Sequence, residues 1–158
     1  LPISFALMLN LASAASAHNT DVMWGFIGRY CNGASPQTHP MLDQLAGFAV
    51  KYFQDFVEPT KSFRAADDRE CAAMQDLIER LEALGPDCRD AELIQNEVYA
   101  AGKAAEYENL RDWFKALYEV LLGQSQGPRF GSFVAIYGIP ETVALIEKGL
   151  AGDLLAEK

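Results

Sequence analysis

The sequence predicts an all-α fold, a compact multi-helix bundle, on three features of its 158 residues. Apolar side chains recur at intervals of three and four along most of the chain, which gathers them on one face of a helix with about 3.6 residues per turn. Proline, glycine and aspartate interrupt these stripes where helices start and stop. No segment shows the apolar-polar alternation of a half-buried strand, and there is no internal repeat or low-complexity linker. With 50% hydrophobic residues, the whole span 1–158 is expected to form one helical domain; at this size about 70% of the unfolded surface would be buried.

The first apolar run, Phe5 to Leu11, is followed by Ala12-Ser-Ala-Ala-Ser-Ala17, whose small-x-small pattern imitates a secretory signal and its cleavage site. No lysine or arginine precedes Arg29, so the charged front of such a signal is missing. The run is also far short of the ~20 residues that span a bilayer. A buried helix whose alanines and serines permit close packing is expected instead; a secreted domain would need a basic stretch and a start methionine upstream. Asp21 to Cys31 mixes Val22, Phe26 and Tyr30 with Gly25 and Gly28, which reads as a short, closely packed helix with Arg29 and Tyr30 near its exposed end.

In the next helix Met41, Leu42, Leu45, Phe48, Ala49, Tyr52, Phe53 and Phe56 mark the expected buried face. Pro40 suits its first turn and Pro59 follows its end. A fourth helix is expected from Asp67 or Asp68 to Gly85-Pro86, carrying Cys71, Met74, Leu77, Ile78, Leu81 and Leu84 inward, with Glu70, Glu79 and Glu82 as exposed carboxylates. Asp90 can cap a fifth, through Ile94, Val98 and Ala101 to about Gly102. Leu110, Trp113, Phe114, Leu117, Tyr118, Leu121 and Leu122 form the clearest stripe, and aromatic residues at this spacing usually serve the core. A final helix starts at Pro140 and buries Val143, Ile146 and Leu150.

Thirteen lysines and arginines against twenty-two acids give a net charge of −9, which opposes a polyanion if spread evenly. The acid is concentrated: residues 67–109 hold four basic and twelve acidic side chains, whereas residues 1–66 hold four of each and residues 110–158 five against six. Arg29, Lys51, Arg111, Lys115 and Arg129 come from the near-neutral parts. Cys31, Cys71 and Cys88 are odd in number and match neither a metal knuckle nor a disulfide framework, so reduced, intracellular thiols are expected. With only His18 and His39 besides, no metal site is expected. There is no phosphate-binding Gly-x-x-x-x-Gly-Lys-Ser/Thr motif and no His beside a nucleophilic Ser or Cys, so no catalytic residue is assigned.

Gly123-Gln-Ser-Gln-Gly-Pro-Arg-Phe-Gly-Ser-Phe-Val-Ala-Ile-Tyr-Gly138 reads as a glycine-punctuated loop between helices. Its glycines allow positive φ and expose backbone N–H groups, and Pro128 is expected to hold Arg129 and Phe130 outward, as a contact for a phosphate or a base. The plainer reading is an interhelical turn with a glycine cap at Gly123 and an ordinary surface arginine.

Taken with its flanks, Leu110-Arg-Asp-Trp-Phe-Lys-Ala-Leu-Tyr-Glu-Val-Leu-Leu-Gly123 and Ile139-Pro-Glu-Thr-Val-Ala-Leu-Ile-Glu-Lys-Gly-Leu150, this stretch resembles the C-terminal end of class I lysyl-tRNA synthetases of the bacterial form. Leu1 to Ala15 and Asp21 to Tyr30 resemble the segment following that family's catalytic domain, and Thr38 to Leu45 through Asp55 to Lys61 fits as well. Ala66 to Asp90 carries few distinguishing residues.

The resemblance implies a C-terminal fragment of a cytoplasmic ligase that activates lysine with ATP and magnesium in a separate nucleotide-binding domain. That domain's His-Ile-Gly-His-like and Lys-Met-Ser-Lys-Ser-like motifs are absent from this stretch. The implied task here is to grip the anticodon arm of lysine tRNA, whose single-stranded bases can be stacked and read at their edges. The expected partners are lysine tRNA, with lysine and ATP through the catalytic domain, and neither a membrane nor DNA. On residue type, Arg129 and the nearby glycine N–H groups are expected on phosphate, Gln124 and Gln126 on base edges, and Phe130 or Tyr30 on stacking. Arg29, Lys51, Arg111 and Lys115 would supply general attraction, Arg111 and Lys115 from the helix face opposite the apolar stripe. A second reading keeps the fold without RNA binding: a helical protein-interaction module whose acidic middle meets a basic partner.

Overall fold

Helix ends are set by local chemistry, and packing then folds the chain around one core. A computed structural model describes residues 3–156 and is built from helices alone, with no strand among these residues; the extreme ends of the 1–158 span lie outside them. Eight α-helices follow in order: α1 Phe5–Ala15, α2 Thr20–Tyr30, α3 Pro40–Tyr52, α4 Asp68–Leu84, α5 Ala91–Ala104, α6 Leu110–Leu121, α7 Phe130–Tyr137 and α8 Ile139–Ala151. A π turn at Phe53–Val57 and a 3-10 turn at Glu58–Thr60 extend α3.

Side-chain caps start most of these helices by satisfying backbone donors that no preceding turn can reach. Ser4, Asn19, Asp67, Asp90 and Asn109 each accept from a first-turn N–H. At α4 the arrangement is reciprocal, since the Glu70 carboxylate also accepts from the Asp67 N–H at 3.0 Å. Glu70 is therefore no solvated carboxylate: it is 8% exposed and takes two hydrogen bonds from Arg64, at 2.7 and 2.9 Å. Arg64 also donates to Glu119 at 2.8 Å, so the extended segment after α3 is fastened to both α4 and α6. The guanidinium beside Glu70 holds its carboxyl below the usual range, against the opposing effect of burial.

The sixteen-residue stretch 123–138 divides in two. Only its first part is a loop; Phe130–Tyr137 is α7, in which Phe130, Phe133, Val134, Ala135 and Ile136 are wholly enclosed. This helix is the hub, packing on α1, α2, α5 and α8. At Gly138, with φ of 111°, the chain turns by 114° into α8. No single described helix is long and apolar enough to cross a membrane.

α1 is core, as its alanines and serines indicate: Met8, Leu11 and Ala12 are fully buried. In α2, by contrast, Gly25 and Gly28 have open space where a side chain would stand, so close packing is not their role. Trp24 is held by its indole N–H on Asp43 of α3, at 2.8 Å. On α3 the inward residues are Leu42, Ala46, Ala49 and Val50, followed by Phe53 in the π turn, and the small pair Ala46 and Ala49 lets α3 approach its neighbours. Met41, Phe48, Tyr52 and Phe56, expected inside, are exposed. Trp113 is at 0% exposure, with its indole N–H on the Val98 carbonyl at 2.9 Å.

Candidate nucleic-acid interface

α6 carries two faces that meet at an edge. Leu117 and Leu121 enter the core, while Arg111, Phe114, Lys115 and Tyr118 follow one another at helical spacing along the adjoining side. Opposite them stands the loop after α6, and between loop and helix lies an open cleft of about 420 Å³ that includes Arg111, Phe114, Lys115, Ser125 and Gln126. A second cleft of about 270 Å³ adjoins it across Phe114, Tyr118 and Gly127, and reaches Tyr99 of α5, Pro128 and Arg129. Among the described residues no aspartate or glutamate lines either cleft, although the chain holds twenty-two acids.

The loop is fixed from several sides. Tyr118 donates its hydroxyl proton to the Pro128 carbonyl and accepts from the Asn10 amide at 3.5 Å. Burial raises the Tyr118 phenol well above its ordinary range, opposed by the Asn10 hydrogen bond, so the group stays a neutral donor. Gly127 lies flat on the Tyr118 ring, and any side chain there would collide with it. Gly123, at φ 69°, gives its carbonyl to the Ser62 N–H at 3.0 Å. At the loop's far end the Gly131 N–H donates to the buried Gln95 side chain at 2.6 Å, and a Cβ at Gly131 would stand 2.7 Å from Gln95 and 2.8 Å from the Ala91 carbonyl. These glycines serve close contact and chain reversal, and the polar side chains of Ser125, Gln126 and Arg129 are exposed along the loop.

Four of the nine residues singled out from sequence thus share one surface: Arg111, Lys115, Gln126 and Arg129. Among the described residues Arg111 and Lys115 have no acidic side-chain partner. Arg129 faces Glu92 at 3.3 Å, in a pair whose side chains are 55% and 75% exposed. Phe130 is a correction: its ring is at 0% exposure, edge-on to Tyr118 and tilted against Phe133, because it opens the buried helix α7 and does not project from the loop. It forms the floor of the second cleft. Gln124 is half-buried at the start of the loop and lines neither cleft.

Arg29, Tyr30 and Lys51 also stand apart from both clefts. Arg29 links α2 to α8, pairing with Glu141 at 3.0 Å while its guanidinium lies over Phe26 at 5.0 Å. Tyr30 is half-buried against the core, and Lys51 pairs with Asp55 one turn on at 3.3 Å. The residues that sequence reading missed are Phe114 and Tyr99, half-buried rings in edge contact at 5.4 Å that separate the cations of one cleft from the arginine of the other. Phe114 was hidden in the α6 stripe. Its position three after Arg111 and one before Lys115 was the available signal.

Chemically, this is a strip of two free cations, two aromatic edges, an exposed amide and a weakly paired arginine. Such a set matches the phosphates, faces and edges of unpaired nucleotides. Among the described residues no three His, Cys, Asp or Glu side chains converge as metal ligands, and Cys31, Cys71 and Cys88 are free thiols.

No protein-family profile matches the chain, and no solved structure matches it. Among known proteins it is 52% identical over 156 residues to a lysine-tRNA ligase of Roseobacter denitrificans, covering 98% of this chain and 29% of that one. It is 48% identical over 148 residues to a lysine-tRNA ligase of Rickettsia bellii, covering 94% of this chain and 28% of the other. For that of Rickettsia felis the identity is 46% over 145 residues, with 92% and 27% covered. The chain is homologous over nearly all of its length to one stretch, under a third of the whole, of proteins named lysine-tRNA ligase.

Proposed function

We propose that this chain is the C-terminal anticodon-recognising domain of a class I lysine-tRNA ligase acting in the cytoplasm. The observation that carries the reading is the pair of adjoining, acid-free clefts around Phe114, which gathers Arg111, Lys115, Gln126 and Arg129 in a chain of net charge −9. Arg111 and Lys115 take phosphates of the anticodon arm, Phe114 and Tyr99 offer edges and faces to unstacked bases, and the Gln126 amide reads a base edge. Arg129 joins once Glu92 releases it. The homology to lysine-tRNA ligases supports lysine tRNA as the RNA in question.

The longer protein would bind lysine, ATP and magnesium in its separate catalytic domain and join lysine to the tRNA. No catalytic residue is assigned to the stretch described here. Its contribution is binding: the anticodon is held so that the acceptor end reaches the distant chemistry.

The test is a titration of the protein with lysine tRNA, an anticodon-changed version and an unrelated tRNA at two salt concentrations. Preference for the lysine anticodon that survives added salt supports the reading, because base contacts, unlike phosphate contacts, discriminate sequence. Equal binding to all three, erased by salt, contradicts it. A reading frame beginning near Leu1, without upstream nucleotide-binding motifs, would favour the protein-interaction alternative.

A further inference from the structure

One side of the molecule carries large apolar side chains that the core leaves out. Met41 is 82% exposed, Phe48 64%, Phe56 62%, Tyr52 44% and Phe5 36%. They are contiguous: the Phe5 ring meets Tyr52 edge-on at 5.7 Å, Tyr52 meets Phe56 at 5.0 Å, and Phe48 lies one helical turn before Tyr52 on α3. At its upper end the face opens into a hollow of about 560 Å³ between Ile3, Met41 and Leu45. Contiguous exposed aromatic and aliphatic side chains of this kind mark a place of contact with another macromolecule.

Two features identify the occupant. Ile3 lines the hollow and Phe5, the first residue of α1, lies on the patch, so the described chain begins at this face. The relatives are more than three times as long as the matched stretch, which is 29% of one and 28% of another. RNA is a poor fit, because α1 carries no lysine or arginine and α3 carries Lys51 alone, one cation beside five large apolar side chains.

We propose that the face formed by Phe5, Met41, Phe48, Tyr52 and Phe56 is the seat of the preceding part of the longer ligase, which packs an apolar surface against it. The inference rests on the proposed reading of this stretch as the C-terminal part of that enzyme. Docking there ties the RNA-gripping clefts, at α6 and the loop after it, to the remainder of the enzyme through α1 and α3.

Methionine oxidation tests this in the full-length protein, since susceptibility follows exposure. Met8, Met23 and Met74 are at 0% exposure and serve as internal references for Met41. With dilute hydrogen peroxide and peptide mass spectrometry, Met41 should oxidise within about threefold of those three, and Phe48→Glu should raise its rate by about fivefold or more while leaving theirs unchanged. Met41 oxidising about tenfold faster than the references in the unsubstituted protein overturns the proposal. So does protection that appears only on adding tRNA, which would make the face an RNA contact, or only at high protein concentration, which would assign it to a second copy. A natural reading frame that adds nothing before this stretch removes the occupant and also overturns it. Failure of the tRNA titration with Met41 protected would retire the RNA reading and leave this one standing.

Discussion

Replacing Arg111 and Lys115 together by glutamine should reduce the salt sensitivity of RNA binding by a calculable amount. The two side chains are exposed, one turn apart on α6, and have no acidic partner among the described residues, so meeting a phosphate breaks no existing ion pair. Each contact to a single-stranded phosphate contributes about 0.7 to the slope of log affinity against log salt, so two contribute about 1.4. Raising salt fourfold, from about 50 to about 200 mM, should then cost the unsubstituted protein about sevenfold more affinity than the double variant. Fluorescence anisotropy with labelled lysine tRNA at the two concentrations reads this directly. Both substitutions lie on the surface, where stability changes stay within about 0.5 kcal/mol, so an unchanged thermal melt is the control for folding. Parallel salt dependences, with folding intact, would refute phosphate binding by this strip.

Three further outcomes follow from the same geometry. Glu92→Gln removes the acid that holds Arg129, and because exposed pairs are worth about 0.2 to 1 kcal/mol, tRNA affinity should rise by about 1.5- to 5-fold; a fall would show that Arg129 needs its partner. Phe114→Leu keeps an apolar body against Tyr99 but loses the ring, and should weaken binding by about 1 to 3 kcal/mol if one base stacks there, with unchanged affinity contradicting the stacking role. The third concerns stability. Glu70 titrates below its ordinary value in the folded chain, so the unfolded chain binds its proton more readily; the Arg64–Glu70 contribution is complete above about pH 5 and is lost as pH falls through the folded value. Glu70→Gln should therefore lower the urea midpoint at pH 7 and flatten its decline into acid, and an identical acid profile would contradict the assignment.

What could be read in the sequence was whatever local chemistry decides. Asp67 and Asp90 cap α4 and α5, Gly85 follows the end of α4, and Pro140 lies in the first turn of α8, because caps and breakers act within a turn of the chain. α7 escaped for a physical reason. A helix enclosed on all sides, as Phe130–Tyr137 is, has no polar face, hence no stripe, and its Gly131 resembles loop punctuation although it lies in the first turn against Gln95. On α3 the apolar residues are too many for one face, and periodicity alone chose Phe48 and Tyr52 over Ala46 and Val50. Tertiary packing decided that competition in favour of the small side chains.

The clefts were legible in part for the same reason. Arg111, Lys115, Gln126 and Arg129 are close enough in sequence for α6 and one loop to bring them together. Arg29 is not, and its engagement with Glu141, more than a hundred residues away, could be seen only in three dimensions. The direction of Phe130 depends on the start of α7, so misplacing that boundary turned a floor residue into an expected surface ring. Tyr99 needed the packing of α5 beside α6 before it could join Phe114.

Photocrosslinking with lysine tRNA carrying 4-thiouridine in its anticodon loop tests the central claim most directly. Mapped by mass spectrometry, the crosslinks should fall on the peptides containing Phe114, Lys115 and Tyr118 or Gln126 to Arg129, and should be competed by unlabelled lysine tRNA more strongly than by an unrelated tRNA. Crosslinks confined to other surfaces, or competed equally by both RNAs, would contradict recognition of the anticodon by these clefts.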